Sequence, residues 1–282
     1  MNRREWLFGV VGWLATAQLA RATQPAPIRV GMTPAFLHDQ HALLEDWRRY
    51  LERHLGRPVE FVQRDSYRET MDLLRQDRIE FAWICDYPYI HLRRQVRLLA
   101  VPLTDGKPLY RSYLIVPSSD TTTQSIAQLR DKVFAYADPY SNTGYLVPRY
   151  QLKQLGENPE NFFARTFFTL SHRGVIEAVA TRVAQGGAVD SFVWDTLAKV
   201  KPEVVRRTRI VSRSAEFGSP PFVAHQRVSA REFQAMQAAL LGMGADPEGR
   251  ALLQRLNLDG FTAGDPANYA GVAEMMKAFG EL

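Results

Sequence analysis

From Ile28 onward, apolar residues follow two alternating rhythms: short continuous runs, and stretches in which they recur every three or four positions. Ile28–Met32 has strand character, and Thr33-Pro34 ends it. Leu43, Leu44, Trp47, Tyr50, Leu51 and Leu55 share one helical face, and Gly56 with Pro58 stops that helix. Val59–Val62 is the next strand. Ser66 is placed to cap a helix carrying Met71, Leu73 and Leu74. Ile79–Ile84 and Val96–Val101 follow as strands. This β-α-β-α-β order predicts a mainly parallel sheet with helices on both faces.

A second alternating unit comes next. Tyr110–Val116 and Lys132–Ala137 read as strands, Thr143 to Leu155 as a helix, Thr166–Leu170 as a strand and His172–Val183 as a helix. Strands are expected at Ala188–Val193, Arg209–Val211 and Phe222–His225, and everything beyond is expected to be helical: Ala230–Leu241, Pro247–Leu256 and Asn268–Phe279. Those closing helices need a sheet to cover, and the first unit is the expected host because the second supplies its own. The chain would then cross between lobes twice, near Leu103–Pro108 and near Glu216–Pro221, both rich in Gly and Pro. The expected division is residues 23–105 plus 220–282 for one lobe and 106–219 for the other. Two α/β lobes joined by two crossings make a clamshell, with ligands bound beyond the carboxyl ends of the strands.

Composition narrows the function. A length of 282 residues corresponds to roughly two domains. The one cysteine, Cys85, excludes a disulfide framework, and six histidines without metal-ligand spacing argue against a metal site. The formal charge of +5 is dispersed among acids, so no nucleic-acid surface is expected, though a mild positive field suits a small anion. No GxSxG and no paired catalytic carboxylates stand out, so no enzymatic activity and no cofactor are expected. At the N-terminus, Arg3 and Arg4 precede the apolar run Trp6–Ala20, and Ala20-Arg21-Ala22 supplies small residues for cleavage. Residues 1–22 therefore read as a signal peptide, resembling a twin-arginine signal, with cleavage near Ala22 and export to the periplasm. No cysteine near that point would carry a lipid anchor.

The chemistry concentrates where a strand ends and a helix opens, at Tyr136 to Pro148. Ser141, Asn142 and Thr143 are short hydrogen-bonding side chains, and Gly144 admits close approach of backbone. With the unpaired N–H groups of a first helical turn they would make a seat for an anion; an ordinary capped helix has the same residues. The run Asp138-Pro139-Tyr140-Ser141-Asn142-Thr143-Gly144-Tyr145-Leu146-Val147-Pro148 resembles a segment of the phosphonate, phosphite and phosphate periplasmic binding proteins of ABC transporters. Asp65 with Tyr67, Glu80-Phe81-Ala82-Trp83, Tyr110 to Val116, and His172 at a helix start extend the resemblance over nearly all of the exported chain.

The resemblance implies a type II periplasmic-binding-protein clamshell. It implies a receptor that holds a small oxyanion through Ser141, Asn142 and Thr143, with Tyr67 and His172 reaching the same oxygens across the cleft, and that passes it as a monomer to an importer permease. Departures from the family bear on the ligand. Asn142 stands where the family often has Thr, though its amide can still donate, and Ile84 follows Ala82-Trp83 where phosphonate binders commonly have Tyr; Ser219 stands where an aspartate for an aminoalkyl tail is expected, leaving Asp195 as the candidate. Cys85 lies just past a strand end, either as a small buried group or as a thiolate for a thiophilic ligand. The second reading resembles arsenite-binding sensor subunits that signal to membrane histidine kinases.

Overall fold

The structure is a computed structural model that describes residues 26–34 and 41–282. The predicted signal peptide lies outside the described residues. The first run of elements is β1 (Ile28–Met32), α1 (His41–Leu55), β2 (Val59–Gln63), α2 (Tyr67–Arg75), β3 (Phe81–Trp83), α3 (Asp86–Leu92) and β4 (Val96–Leu103). There follow β5 (Leu109–Tyr110), β6 (Ser112–Pro117), β7 (Val133–Tyr136), α4 (Val147–Gln154), β8 (Arg165–Phe168), α5 (His172–Ala180) and β9 (Gly186–Asp190). The chain closes with α6 (Ser191–Val200), α7 (Pro202–Val205), β10 (Thr208–Arg213), β11 (Phe217–Gly218), β12 (Phe222–His225), α8 (Ala230–Leu241), α9 (Pro247–Leu256), β13 (Gly260–Thr262) and α10 (Ala270–Ala278).

These elements form two lobes. A six-stranded sheet has the order β13-β4-β12-β3-β1-β2, and a five-stranded sheet has the order β10-β6-β9-β7-β8. In the first, β1 pairs in parallel with β2 and β3. The returning strand β12 then inserts antiparallel between β3 and β4, and β13 pairs antiparallel with the outer side of β4. Strands β1 to β4 thus all run one way, as the alternation requires, and the reversed strands come from the chain's return. The second sheet repeats this design: β7 is parallel to β8 and β9, and β6 runs against β9 and β10. Between the sheets, β5 and β11 pair antiparallel, Tyr110 opposite Phe217, so the two crossing segments form one short ribbon.

Burial explains the layers. Trp47 of α1 is wholly buried, edge-on to Trp83 of β3 at 5.9 Å, and Trp83 stacks on Phe222 of β12 at 5.1 Å. Met236 and Leu240 of α8 and Leu252 and Leu253 of α9 fill the same core, so the closing helices cover the first sheet. The second sheet buries Val175, Ile176 and Val179 of α5 on one face. Its other face holds Phe134, Phe162 and Phe163, the first and last stacked at 4.4 Å.

Three elements depart from expectation, each for a local reason. α3 begins directly after β3, and Pro88 sits in its first turn, where a proline costs no hydrogen bond. The apolar run expected to extend a strand to Val193 ends at Asp190, whose carboxylate accepts the N–H groups of Phe192 and Val193 and so starts α6. Past Leu256 the chain is not wholly helical, because Gly260–Thr262 zips onto β4.

Candidate functional site

Three strands deliver polar residues at or just past their carboxyl ends in the region where the lobes face each other. β3 leads to Cys85 and Asp86, β7 to Asp138 and Ser141, and β9 ends on Asp190. From α2 comes Tyr67 and from α5 His172, each at a helix start capped by a serine. Ser66 accepts the Glu69 N–H and Ser171 accepts the Gly174 N–H. All seven residues singled out from sequence, Tyr67, Cys85, Ser141, Asn142, Thr143, Gly144 and His172, meet in this region, and all are buried.

His172 shows how the site is wired. Its Nδ1 accepts the backbone N–H of Asp190 at 3.1 Å, so the proton of the neutral ring sits on Nε2. Burial pushes the ring's pKa down to about 3, which keeps it neutral across the physiological range. Nε2 lies 3.4 Å from both the Tyr67 hydroxyl and Ser141 Oγ, so three hydrogen-bonding groups from both lobes converge. Ser141 Oγ already accepts the Gly144 N–H at 3.0 Å, which leaves its own hydrogen to donate elsewhere. The Tyr67 phenol is held protonated, because burial and the nearby Cys85, Asp138, Asp190 and Asp86 push its pKa well above the ordinary value.

Residues Asn142–Leu146 form one wide π-type turn before α4. Such turns recur at functional sites because they turn side chains out of helical register. Gly144 is required here for space: a Cβ would lie 2.4 Å from the Ala137 Cβ and 3.0 Å from the His172 ring. Its N–H is taken by Ser141, so its part is close packing beneath His172 and Ser141. Thr143 is anchored by its carbonyl, which accepts from Ser112 Oγ at 2.6 Å, while its own hydroxyl is buried without a partner.

The other half of the site was not singled out from sequence. Asp86 is wholly buried, and its carboxylate accepts from the Tyr110 hydroxyl at 2.7 Å, the Asn142 amide at 2.7 Å, the Cys85 thiol at 3.0 Å and the Tyr87 N–H at 3.0 Å. Burial raises its pKa to about 6 and these donors oppose the rise, so it is mostly ionised at neutral pH. Burial and the Asp86 charge push the Cys85 thiol up, so it stays protonated and donates. Asp190, buried as a helix cap, is raised by burial to about 8. Asp138 accepts the Tyr140 N–H at 2.7 Å and, across the cleft, the Tyr67 N–H at 3.2 Å. Asp195 lies outside this network and bonds the Tyr113 hydroxyl instead. A signal for Asp86 was present: it is the lone acid among the apolar and aromatic residues from Phe81 to Leu92.

Residues 30–269 match the family described as "ABC transporter, phosphonate, periplasmic substrate-binding protein". The chain is 24% identical over 233 residues to the phosphonates-binding periplasmic protein of Escherichia coli K12, covering 79% of this chain and 69% of that one. Among solved structures, a binding-protein component of an ABC phosphonate transporter from Pseudomonas aeruginosa superposes with a TM-score of 0.82 at 22% identity, covering 90% of this chain and 86% of that one. PhnD1 of Prochlorococcus marinus, solved with methylphosphonate, gives 0.79 at 18% identity, covering 90% and 98%. These structures share the type II two-lobed fold. With a family match that runs from β1 to the approach to α10, the chain belongs to the periplasmic substrate-binding proteins of phosphonate ABC transporters.

Proposed function

We propose that the protein is an exported, monomeric receptor that closes its two lobes on a small oxyanion of the phosphonate, phosphite or phosphate class and delivers it to the permease of an ABC importer. The observation that carries this reading is the convergence of the His172 Nε2–H with the hydroxyls of Ser141 and Tyr67, with the unpartnered Thr143 hydroxyl on the adjoining turn. All are neutral donors in a buried setting, where a hydrogen bond to a charged oxygen is strongest. The names of the Escherichia coli relative and of the methylphosphonate-bound neighbour support the ligand class. Asp86, Asp138 and Asp190 each already accept hydrogen bonds from the protein, which favours a plain oxyanion over one with an aminoalkyl tail.

Cys85 is the feature that would favour an arsenite-binding sensor subunit. Its protonated thiol, donating to Asp86, supports the importer reading instead. Calorimetry with methylphosphonate, phosphite and phosphate tests the proposal. At least one should bind, and Ser141→Ala combined with Thr143→Ala should weaken it about a hundredfold or more, each lost bond to a charged group being worth about 1.5–3 kcal/mol. Equal affinities in parent and double variant would refute the seat.

A further inference from the structure

The amide of Asn142 faces Asp86 in a way that gives the cleft a definite polarity. Asn142 Nδ2 donates to Asp86 Oδ2 at 2.7 Å and lies 3.4 Å from the Tyr110 hydroxyl. The opposite orientation would set the amide oxygen against a carboxylate, two acceptors with no hydrogen between them. Asp86 is itself held in place by Tyr110, Cys85 and the Tyr87 N–H, all donating to its other oxygen. The Asn142 amide is therefore locked with its oxygen turned away from Asp86, and that oxygen is buried without a hydrogen-bond partner. An orphaned buried acceptor is destabilising, so the arrangement is stabilised by whatever brings it a hydrogen.

From this we infer that Asp86, acting through Asn142, selects oxyanions that carry a proton: the Asn142 carbonyl oxygen accepts a hydrogen bond from the P–OH of a singly ionised phosphonate, phosphite or phosphate, while Ser141, Thr143, Tyr67 and His172 donate to the bare oxygens. The inference rests on the oxyanion reading above and adds the ligand's protonation state and the residue that reads it. Several donors beside one acceptor match an anion with one O–H better than an anion with none. The surrounding charges agree. The acidic groups facing Asp86 are Cys85 on its own strand end and, across the cleft, Asp190, raised in pKa by burial; Asp138 lies farther along the cleft beside Tyr67, where the Arg68 charge acts on it. The phenols of Tyr67, Tyr110 and Tyr269 also face it and stay protonated. His172 is neutral, so none of these groups supplies a positive charge to balance a second negative charge on the ligand. An ammonium donor is less suited to the Asn142 oxygen, because the carboxylates that would balance its charge are committed to protein donors.

The test compares two singly charged tetrahedral anions of similar size, methylphosphonate, which carries a P–OH hydrogen at this charge, and methanesulfonate, whose sulfur centre carries no hydrogen on its oxygens. Calorimetry is run at about pH 6.5, where an alkylphosphonate, a weaker acid in its second step than the ~6 of a phosphate monoester, is still mainly singly ionised. Methylphosphonate should bind at least about tenfold more tightly than methanesulfonate, which lacks the hydrogen that the buried acceptor needs. Equal affinities would overturn the inference and leave the oxyanion seat standing; binding of neither would sink both. In Asp86→Asn the Asn142 amide loses its fixed orientation, and the preference should shrink to a few-fold. A purely structural role for Asp86 would weaken both ligands alike, so an unchanged ratio in the folded variant would overturn the assignment to Asp86. If that variant does not fold, the ratio measured on the parent still decides whether the proton is read.

Discussion

At the scale of single residues, the site is governed by which atom holds each proton. The backbone N–H of Asp190 places the His172 proton on Nε2, and the Asp86 carboxylate keeps the proton of Cys85 on sulfur. Cys85 therefore acts as a short neutral donor. Serine fills that role with an oxygen, so Cys85→Ser should leave methylphosphonate affinity within about threefold, as expected for exchanging one neutral hydrogen bond for another. Abolished binding in a folded Cys85→Ser protein, together with arsenite binding by the parent, would move the protein to the sensor class. His172 also links the site to pH. Below about pH 6.5 the unfolded chain gains a proton on this ring, while the folded chain, with its pKa near 3, does not. The unfolded state then binds more protons, so stability is lost as pH falls through this window. Between pH 6.5 and pH 4.5 the loss from His172 amounts to about 2 kcal/mol. Urea unfolding at both values should show a smaller acid loss for His172→Gln than for the parent, and identical losses would exclude this origin.

Elements matter here through how they begin. Serines cap α2 and α5, which sets Tyr67 and His172 in the first turns of those helices, and Asp190 caps α6. The π-type turn at Asn142–Leu146 is the least ordinary of these starts and depends on Gly144. In Gly144→Ala the new methyl would lie 2.4 Å from the Ala137 Cβ, a contact that only backbone movement relieves. Overpacking of this kind typically costs about 1–3 kcal/mol. Thermal unfolding should show a clear drop for Gly144→Ala, and affinity should fall too because His172 and Ser141 would be pushed apart. A variant as stable as the parent would mean that the turn has room to spare.

For the whole molecule, hydrogen bonds join the two lobes: Asn142 donates to Asp86, the Tyr67 N–H to Asp138 and, away from the site, Lys199 to Asn257, whose amide donates to Thr196. Only the β5–β11 ribbon and its flanking turns connect the two sheets covalently, a natural place for rotation. Small-angle scattering with and without saturating methylphosphonate should show a smaller radius of gyration with ligand. An unchanged radius would count against closure on binding. The two sheets also explain why both crossings are needed: β12 returns from the second lobe to fill the slot between β3 and β4.

Much of this was legible locally. Helical faces such as Leu43, Leu44, Trp47, Tyr50 and Leu51 declare themselves because burial on one side imposes a period near 3.6. Ser66 declares itself as a cap because its partner N–H is only three residues away. The cluster from Ser141 to Gly144 stood out for the same reason, as did the alternation of strands and helices that produced two sheets. Contacts between distant residues did not show. Asp86 and Asn142 are 56 positions apart and His172 and Asp190 are 18 apart, and no short-range pattern encodes either bond. Which way the Asn142 amide turns follows from Asp86 across the seam between the lobes, where the His172 proton sits follows from the Asp190 backbone, and the Cys85 thiol is kept by burial beside Asp86. Burial at that seam removes water as the alternative partner, so each donor and acceptor is set by the neighbour the fold provides.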